Sequence, residues 1–517
     1  MPAIVTQALD TPTPETLVSQ LSGEPGVVLL RSHPGGWPQA RFSFVTARPF
    51  LTFRARGSRC EIMRGGSCHT LFGNPWLMLE YLLDRFELLD AWDLPLPLGG
   101  CFGYWGYDLK YFVEPKLQPA ATDDLGLPDC HLGFYDSLVA FDHALNQTWI
   151  VSTGLIHDGS RDETRARRQL AFWQDRLRSG AATVAPAFQP ASSRNFPVPP
   201  TPARAECEPA VKKARIAAMS AAESHAKPHS NLTRAEFLSK VEGAQRYIRS
   251  GDIYQVNLAQ RLTVDDPCSG WELFKRLAVA SPAPFAAYLD CGDFQLASSS
   301  PELFLRLSGV HALTRPIKGT RPRGADRDRD VQLAWELQTS PKEIAELIMI
   351  TDLLRNDLGR ICDYGSVRAP DLLRLERYAQ VQHLVSTIEG RLRPEVSHVQ
   401  ALARCFPGGS VTGAPKFRAM EIIEELEPVR RGPYTGCLGY LGFNRESQLS
   451  VIIRTVICQG SAKFFHVGAG IVADSDPAAE YEETLAKAGG FLAALRSTGF
   501  GEGQPGGLPE VNIDSQS

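Results

Sequence analysis

No C-x-x-C pair occurs among the eleven cysteines of this 517-residue chain, and none has a companion histidine at metal-ligand spacing. The spacing indicates neither a zinc site nor a disulfide framework, so reduced, mostly buried thiols are expected. No run approaches the roughly 18 uninterrupted apolar residues of a membrane-spanning helix. The start, MPAIVTQALDTPTPE, lacks a basic segment leading into an apolar one, so no secretory leader is predicted and a cytoplasmic location is expected. A net charge of −4 with no block of like sign gives no electrostatic reason to expect nucleic acid or an anionic membrane as partner. A small-molecule enzyme fits better than either.

The length exceeds one ordinary core, so two domains or one large composite core are expected. Residues 27–63 alternate in strand fashion, 133–152 read as a hairpin turning near Asn146, and a helix is predicted over 162–179. The Pro/Ala/Ser-rich tract 181–230 reads as a linker or insertion, because it cannot bury enough apolar area to offset chain entropy; it has room for a short helix over 209–224. Thr233 and Glu236 form a capping box that opens the second half, where strands mix with helices predicted at 328–356, 415–426 and 477–496. The expected class is α+β, organised as 1–180, the insertion, 231–497 and a tail at 498–517.

Several residues carry chemistry. Lys318 stands in RPIKGT, apolar and turn-forming surroundings in which a lysine is either a snorkelling surface residue or a nucleophile whose amine desolvation would expose. Glu343 and Glu346, and Glu480 and Glu483, are each three apart on a predicted helix; each pair is a solvated face or half of a hard-cation site. The loop PGGSVTGAPK (407–416) precedes a helix and suits an anion, yet lacks the Gly-Lys-Ser/Thr of a nucleotide-binding loop. Arg454, inside the apolar run LSVIIRTVIC, needs a buried partner or a substrate carboxylate. His383 shares a strand face with Val381 and Val385, a setting typical of core histidines. Glu302, beside an apolar strand in SSSPELFL, is an acid/base candidate.

Taken together, GDIYQVNLAQRL, SPELF, PIKGTRPR, LLRNDLGR, PGGSVTGAPK, GYLGF, IIRTV and GAGIVADSDP resemble the chorismate-utilising enzymes. The first half matches more loosely, through LLRS, RFSF and GGCFGYWGYDL. PIKGT is similar to the first component of aminodeoxychorismate synthase, because relatives that make anthranilate usually carry Ala where Lys318 stands. The resemblance implies an anthranilate synthase component I-like fold, a large composite antiparallel-sheet sandwich with helices outside. It implies Lys318, Glu302 and His383 as catalytic residues, and Ser410, Thr412, Tyr440, Arg454, Gly468, Gly470 and Lys487 around chorismate, with Lys416 adding charge nearby. It further implies Mg2+ on Glu343, Glu346, Glu480 and Glu483, and a regulatory or structural tryptophan pocket that includes Ser32.

In the implied reaction Lys318 attacks C2 of chorismate as the C4 hydroxyl leaves, and ammonia then adds at C4 and expels the lysine amine. No thiol nucleophile for amide hydrolysis is expected in the chain, so ammonia is expected from a separate glutaminase subunit, as a heterodimer, or from solution. Alternatives are an anthranilate synthase component I and a catalytically silent tryptophan-binding subunit; Lys318 argues against the first and the coherent set of site positions against the second.

Overall fold

The computed structural model describes residues 4–8, 11–32, 41–88, 94–181, 227–324, 326–377 and 381–496. Most of the 181–230 tract, including the helix expected over 209–224, and the tail from 498 lie outside the described residues.

Two antiparallel sheets of twelve strands each carry the fold. The first runs through Ile4–Ala8, Gln147–Ser152, Ser137–Asp142, Phe42–Thr46, Val28–Arg31, Phe285–Asp290, Gln295–Ser300, Thr455–Gln459, Ala462–Ile471, Gln255–Asp265 and His229–Ser230, with Gly413–Ala414 also pairing to Gln255–Asp265. The second runs through Ile317–Pro322, Val381–Arg391, His311–Arg315, Leu303–Ser308, Glu446–Val451, Cys437–Gly442, Gly100–Trp105, Cys130–Tyr135, Leu51–Arg56, Arg59–Arg64 and Ser67–Phe72, with Arg368–Arg377 also on Val381–Arg391. Strands from before and after the insertion pair directly: Val28–Arg31 with Phe285–Asp290, and Gly100–Trp105 with Cys437–Gly442. Segments 1–180 and 231–497 therefore share both sheets and build one composite core.

Sequence pattern explains the layering. Leu51–Arg56 alternates buried and open positions, whereas Gly100–Trp105 and Ser137–Asp142 are buried along their whole length. Such continuous burial belongs to strands covered on both faces. Phe44, Leu296 and Ile457 of the first sheet meet Leu305, Leu438 and Leu449 of the second in one core, and Trp173, Leu177, Phe274 and Phe491 bring helices onto the first sheet's other face. The ten described cysteines are free and eight are buried, as their scattered spacing predicts.

The capping box of Thr233 and Glu236 is present, and the hairpin turns at Asn146 with φ of 51°. The single helix expected over 328–356 is two, Arg327–Thr339 and Pro341–Gly359. Ser340 between them is extended and its hydroxyl accepts from the Glu343 N–H, while Pro341 takes the first helical position, where its missing N–H costs nothing. Among the described residues no helix is long and apolar enough to cross a membrane.

Candidate active site

A cavity of about 570 Å³ takes its lining from both sheets, from helices Pro341–Gly359 and Pro477–Arg496, and from the 407–416 loop. Lys318 enters it from Ile317–Pro322, a strand at the edge of the second sheet rather than the turn its neighbours suggest. The register slips between Lys318 and Thr320, where Gly319 takes φ of 66°. A Cβ at Gly319 would stand 2.5 Å from Leu337 and 3.0 Å from the Glu343 carboxylate, so glycine is required for the strand to kink against the acidic helix. Gly468 and Gly470 line the opposite wall, and a Cβ at Gly470 would lie 2.4 Å from the Gln255 amide and 3.9 Å from Lys318 Nζ.

Glu302 lines the cavity at the foot of strand Leu303–Ser308 and is 6% exposed. Burial pushes its carboxyl up to about 7, against the opposing pull of the Ser410 hydroxyl, the Lys318 charge and the Ile317 N–H. His383 is held neutral, down to about 4, by burial and then by the charge of Arg454. Its Nδ1 lies 2.9 Å from Thr320 Oγ1 and 3.3 Å from the Gly319 carbonyl; the carbonyl can only accept, so Nδ1 carries the hydrogen.

Arg454 was expected inside a strand and instead occupies the crossover that leaves the second sheet at Val451 and enters the first at Thr455, with φ of 50°. Its carbonyl accepts from the Ser299 N–H at 3.0 Å, which fixes the crossover. Burial alone pushes its guanidinium below the ordinary value, and among the described residues no carboxylate pairs with it. A desolvated, unpaired guanidinium facing a cavity is built to receive an anion.

Lys342 at the start of one acidic helix pairs with Glu480 at the start of the other. Glu346 lies 3.8 Å from Lys318, Glu343 lies 3.5 Å from Arg321, Glu480 lies 3.5 Å from Lys342, and Glu483 lies 2.7 Å from Lys487. Burial works to lower the Lys342 ammonium, but Glu480, Glu346, Glu483 and Glu343 together outweigh it and raise it. All four carboxylates thus act electrostatically on Lys342, and oxygen donors of this kind are what a hard cation such as Mg2+ takes. Their side chains are drawn apart toward separate cations, and among the described residues no three His, Cys, Asp or Glu side chains are gathered closely enough to hold an ion.

Of the residues implied around the substrate, Ser410, Arg454, Gly468, Gly470 and Lys487 line the cavity, together with Lys318, Glu302, His383, Glu343, Glu346 and Glu483. Four are placed elsewhere. Thr412 is fully buried and spends its hydroxyl on the Gly408 and Gly409 carbonyls at 3.0 and 3.3 Å. Lys416 is paired with Asp357 at 2.6 Å. Glu480 is buried beneath the lining, accepting from the Ser475 hydroxyl at 2.7 Å. Tyr440 stacks on Phe102 and lines, with Ser32, a separate cleft of about 30 Å³. The tyrosine that does line the main cavity is Tyr434, stacked on His466 with centroids 5.0 Å apart. Sequence reading missed Tyr434, Asn257 and Lys342; for Tyr434 the only signal was its place two residues after Gly432 in a turn. It also passed over Gly99-Gly100-Cys101-Phe102-Gly103, which has the Gly-x-Cys-x-Gly spelling of a glutaminase nucleophile. Cys101 is fully buried mid-strand, and burial raises its thiol well above the ordinary range, so it is a core residue.

Residues 74–493 match the profile of chorismate binding enzymes, and the chain belongs to that family. It is an enzyme class acting on chorismate. Among its curated relatives, anthranilate synthase component 1 of Synechocystis is 38% identical, covering 92% of each chain. Aminodeoxychorismate synthase component 1 of Escherichia coli is 36% identical over 96% of this chain and 98% of its own. Among solved structures, anthranilate synthase component I of Streptococcus pneumoniae superposes with a TM-score of 0.69 at 28% identity, over 88% of this chain and 93% of that one. MenF, the isochorismate synthase of Escherichia coli, shares the fold at a TM-score of 0.66 and 18% identity, over 96% of this chain and 94% of that one.

Proposed function

We propose that the chain is the chorismate-aminating component of an aminodeoxychorismate synthase, making 4-amino-4-deoxychorismate for 4-aminobenzoate and folate synthesis. The observation that carries this reading is the placement of Lys318 in one cavity with Glu302, His383, Ser410 and Arg454. Relatives named for both amination reactions occur at similar identity, so the lysine, rather than overall likeness, supports the choice.

The side chains divide the work. Arg454, with no carboxylate of its own, takes a carboxylate of the dianionic substrate, and the Ser410 hydroxyl adds a donor. Gly468 and Gly470 leave room for the ring against Lys318. Glu346, 3.8 Å from Lys318 Nζ, is placed to take the proton that must leave before the amine can attack C2. Glu302, about half protonated at pH 7, gives its proton to the C4 hydroxyl, which departs as water. Ammonia then bonds to C4, the C2–nitrogen bond breaks, and Lys318 is returned. His383, neutral and anchored to the Gly319 carbonyl, orients the leaving group. Mg2+, held by Glu343, Glu346 and Glu483 with Glu480 behind them, would neutralise a substrate carboxylate that these glutamates otherwise repel. Ammonia comes from a separate glutaminase subunit.

The test supplies chorismate, Mg2+ and ammonium to the purified chain, adds a lyase, and scores the product. 4-Aminobenzoate is expected; anthranilate alone would sink the reading.

A further inference from the structure

We infer that Arg431 is a positioning residue that sets the Ser410 turn and Tyr434 against the substrate cavity, and that the first-half segment around Tyr107 holds it there. The inference rests on the proposed acid role of Glu302.

Arg431 is 2% exposed, and its guanidinium is used in every direction. Nε and Nη2 make a fork on Glu427 at 2.8 and 2.6 Å. Nη1 donates to the Val411 carbonyl at 3.0 Å and to Thr435 Oγ1 at 3.2 Å, and Nη2 donates to the Asn257 carbonyl at 2.7 Å. Its flat faces lie 4.8 Å from the Tyr107 ring and 5.6 Å from the Tyr434 ring. Three cavity-lining pieces from different elements thereby hang from one side chain: the 409–411 turn bearing Ser410, the strand bearing Asn257, and Tyr434. A lysine would keep the charge and lose the fork, because one ammonium cannot reach three carbonyl or carboxylate directions in a plane.

The support comes from GGCFGYWGYDL. The Tyr107 N–H donates to the Gly432 carbonyl at 2.7 Å, and the Gly432 N–H donates to Asp108 at 3.1 Å. Asp108 is in turn fixed by the fully buried Lys110, which also holds Glu424 at 2.8 Å. The Tyr107 hydroxyl is buried without a hydrogen-bond partner among the described residues, so its ring is the working part.

Ser410 is the readout. Its hydroxyl favours the ionised form of Glu302, so displacing the turn should move the alkaline limb of the kcat/KM profile, near pH 7, upward. Ser410→Ala should produce that move by itself. Arg431→Lys, with folding verified by circular dichroism, should reproduce it and lower kcat by about 100-fold, the scale of an ångström misplacement. The double variant should shift the limb no further than either alone. Tyr107→Leu should give a smaller shift in the same direction, and Tyr107→Phe none. If Ser410→Ala moves the limb while folded Arg431→Lys does not, the inference is overturned. If Arg431→Lys does not fold, Tyr107→Leu decides in its place: a limb moved upward supports the inference and an unmoved limb overturns it. If Ser410→Ala leaves the limb in place, the Glu302 reading has failed and this inference falls with it.

Discussion

Lys318 Nζ lies 3.8 Å from the Glu346 carboxylate, joining the edge strand of the second sheet to the acidic helix. The same glutamate is a candidate metal ligand, so one carboxylate faces both the nucleophile and the cation site. Burial raises Glu346, the charges of Lys318 and Lys342 oppose this, and Glu343 and Glu483 add to it. Lys318→Ala should therefore have two consequences. The covalent adduct formed with chorismate, read by intact-protein mass spectrometry, should disappear, and residual amination should shift toward C2. Retention of the native rate of 4-amino-4-deoxychorismate formation would reduce Lys318 to an electrostatic residue.

Each of the four glutamates already has a cation within 4 Å, so the site is charge-balanced as it stands. Bringing in a dianionic substrate calls for added positive charge, and EDTA should abolish turnover with Mg2+ restoring it. Glu483→Gln should raise the Mg2+ concentration needed for half-maximal activity at least ten-fold, the scale of losing one charged ligand interaction of about 1.5–3 kcal/mol. Full activity in EDTA would remove the metal from the account.

Much of this was legible in the sequence, for a physical reason. Short contiguous motifs such as PIKGT and SPELF dictate their own local backbone, and Lys318 and Glu302, read from separate motifs, line one cavity. Tyr440 and Thr412 lie off this cavity because a motif fixes which residues are near one another but not which face they present: on Cys437–Gly442 the tyrosine points to Phe102 and Phe44. A composite core was among the expectations, but which strands of the two halves pair was not legible, since pairing between Val28–Arg31 and Phe285–Asp290 is set by tertiary burial rather than local pattern. Arg431 was missed because a buried arginine and an exposed one read alike until partners such as Glu427 and the Val411 carbonyl are seen.

Glu302 predicts that activity and stability both fall as pH rises. Its folded value of about 7 stands above the ordinary glutamate value of 4.5, so between these pH values the native state holds more protons than the unfolded one. Stability from this group is full below pH 4.5 and falls as pH rises toward 7. Glu302→Gln, which cannot ionise, should be more stable than wild type at pH 8 by about 3 kcal/mol and equal to it near pH 4. Thermal melts at the two pH values measure this, and an advantage independent of pH would mean the carboxyl is not desolvated. Turnover should fall on the alkaline side of about pH 7 in wild type, and that limb should be absent from the residual activity of Glu302→Gln.

Arg454 offers the sharpest separation of stability from function. Its guanidinium is desolvated and, among the described residues, has no carboxylate partner, so the free protein bears a cost that only an anionic ligand offsets. Arg454→Met should raise the melting temperature of the ligand-free chain, corresponding to about 0.5–2 kcal/mol. The same change should weaken chorismate binding by about 10- to 100-fold, the loss of a charge-assisted contact worth about 1.5–3 kcal/mol. Wild-type protein should also gain melting temperature on adding chorismate, and the variant should not. A variant that is destabilised, with chorismate affinity unchanged, would mean that Arg454 pins the crossover between the sheets and does not receive the substrate.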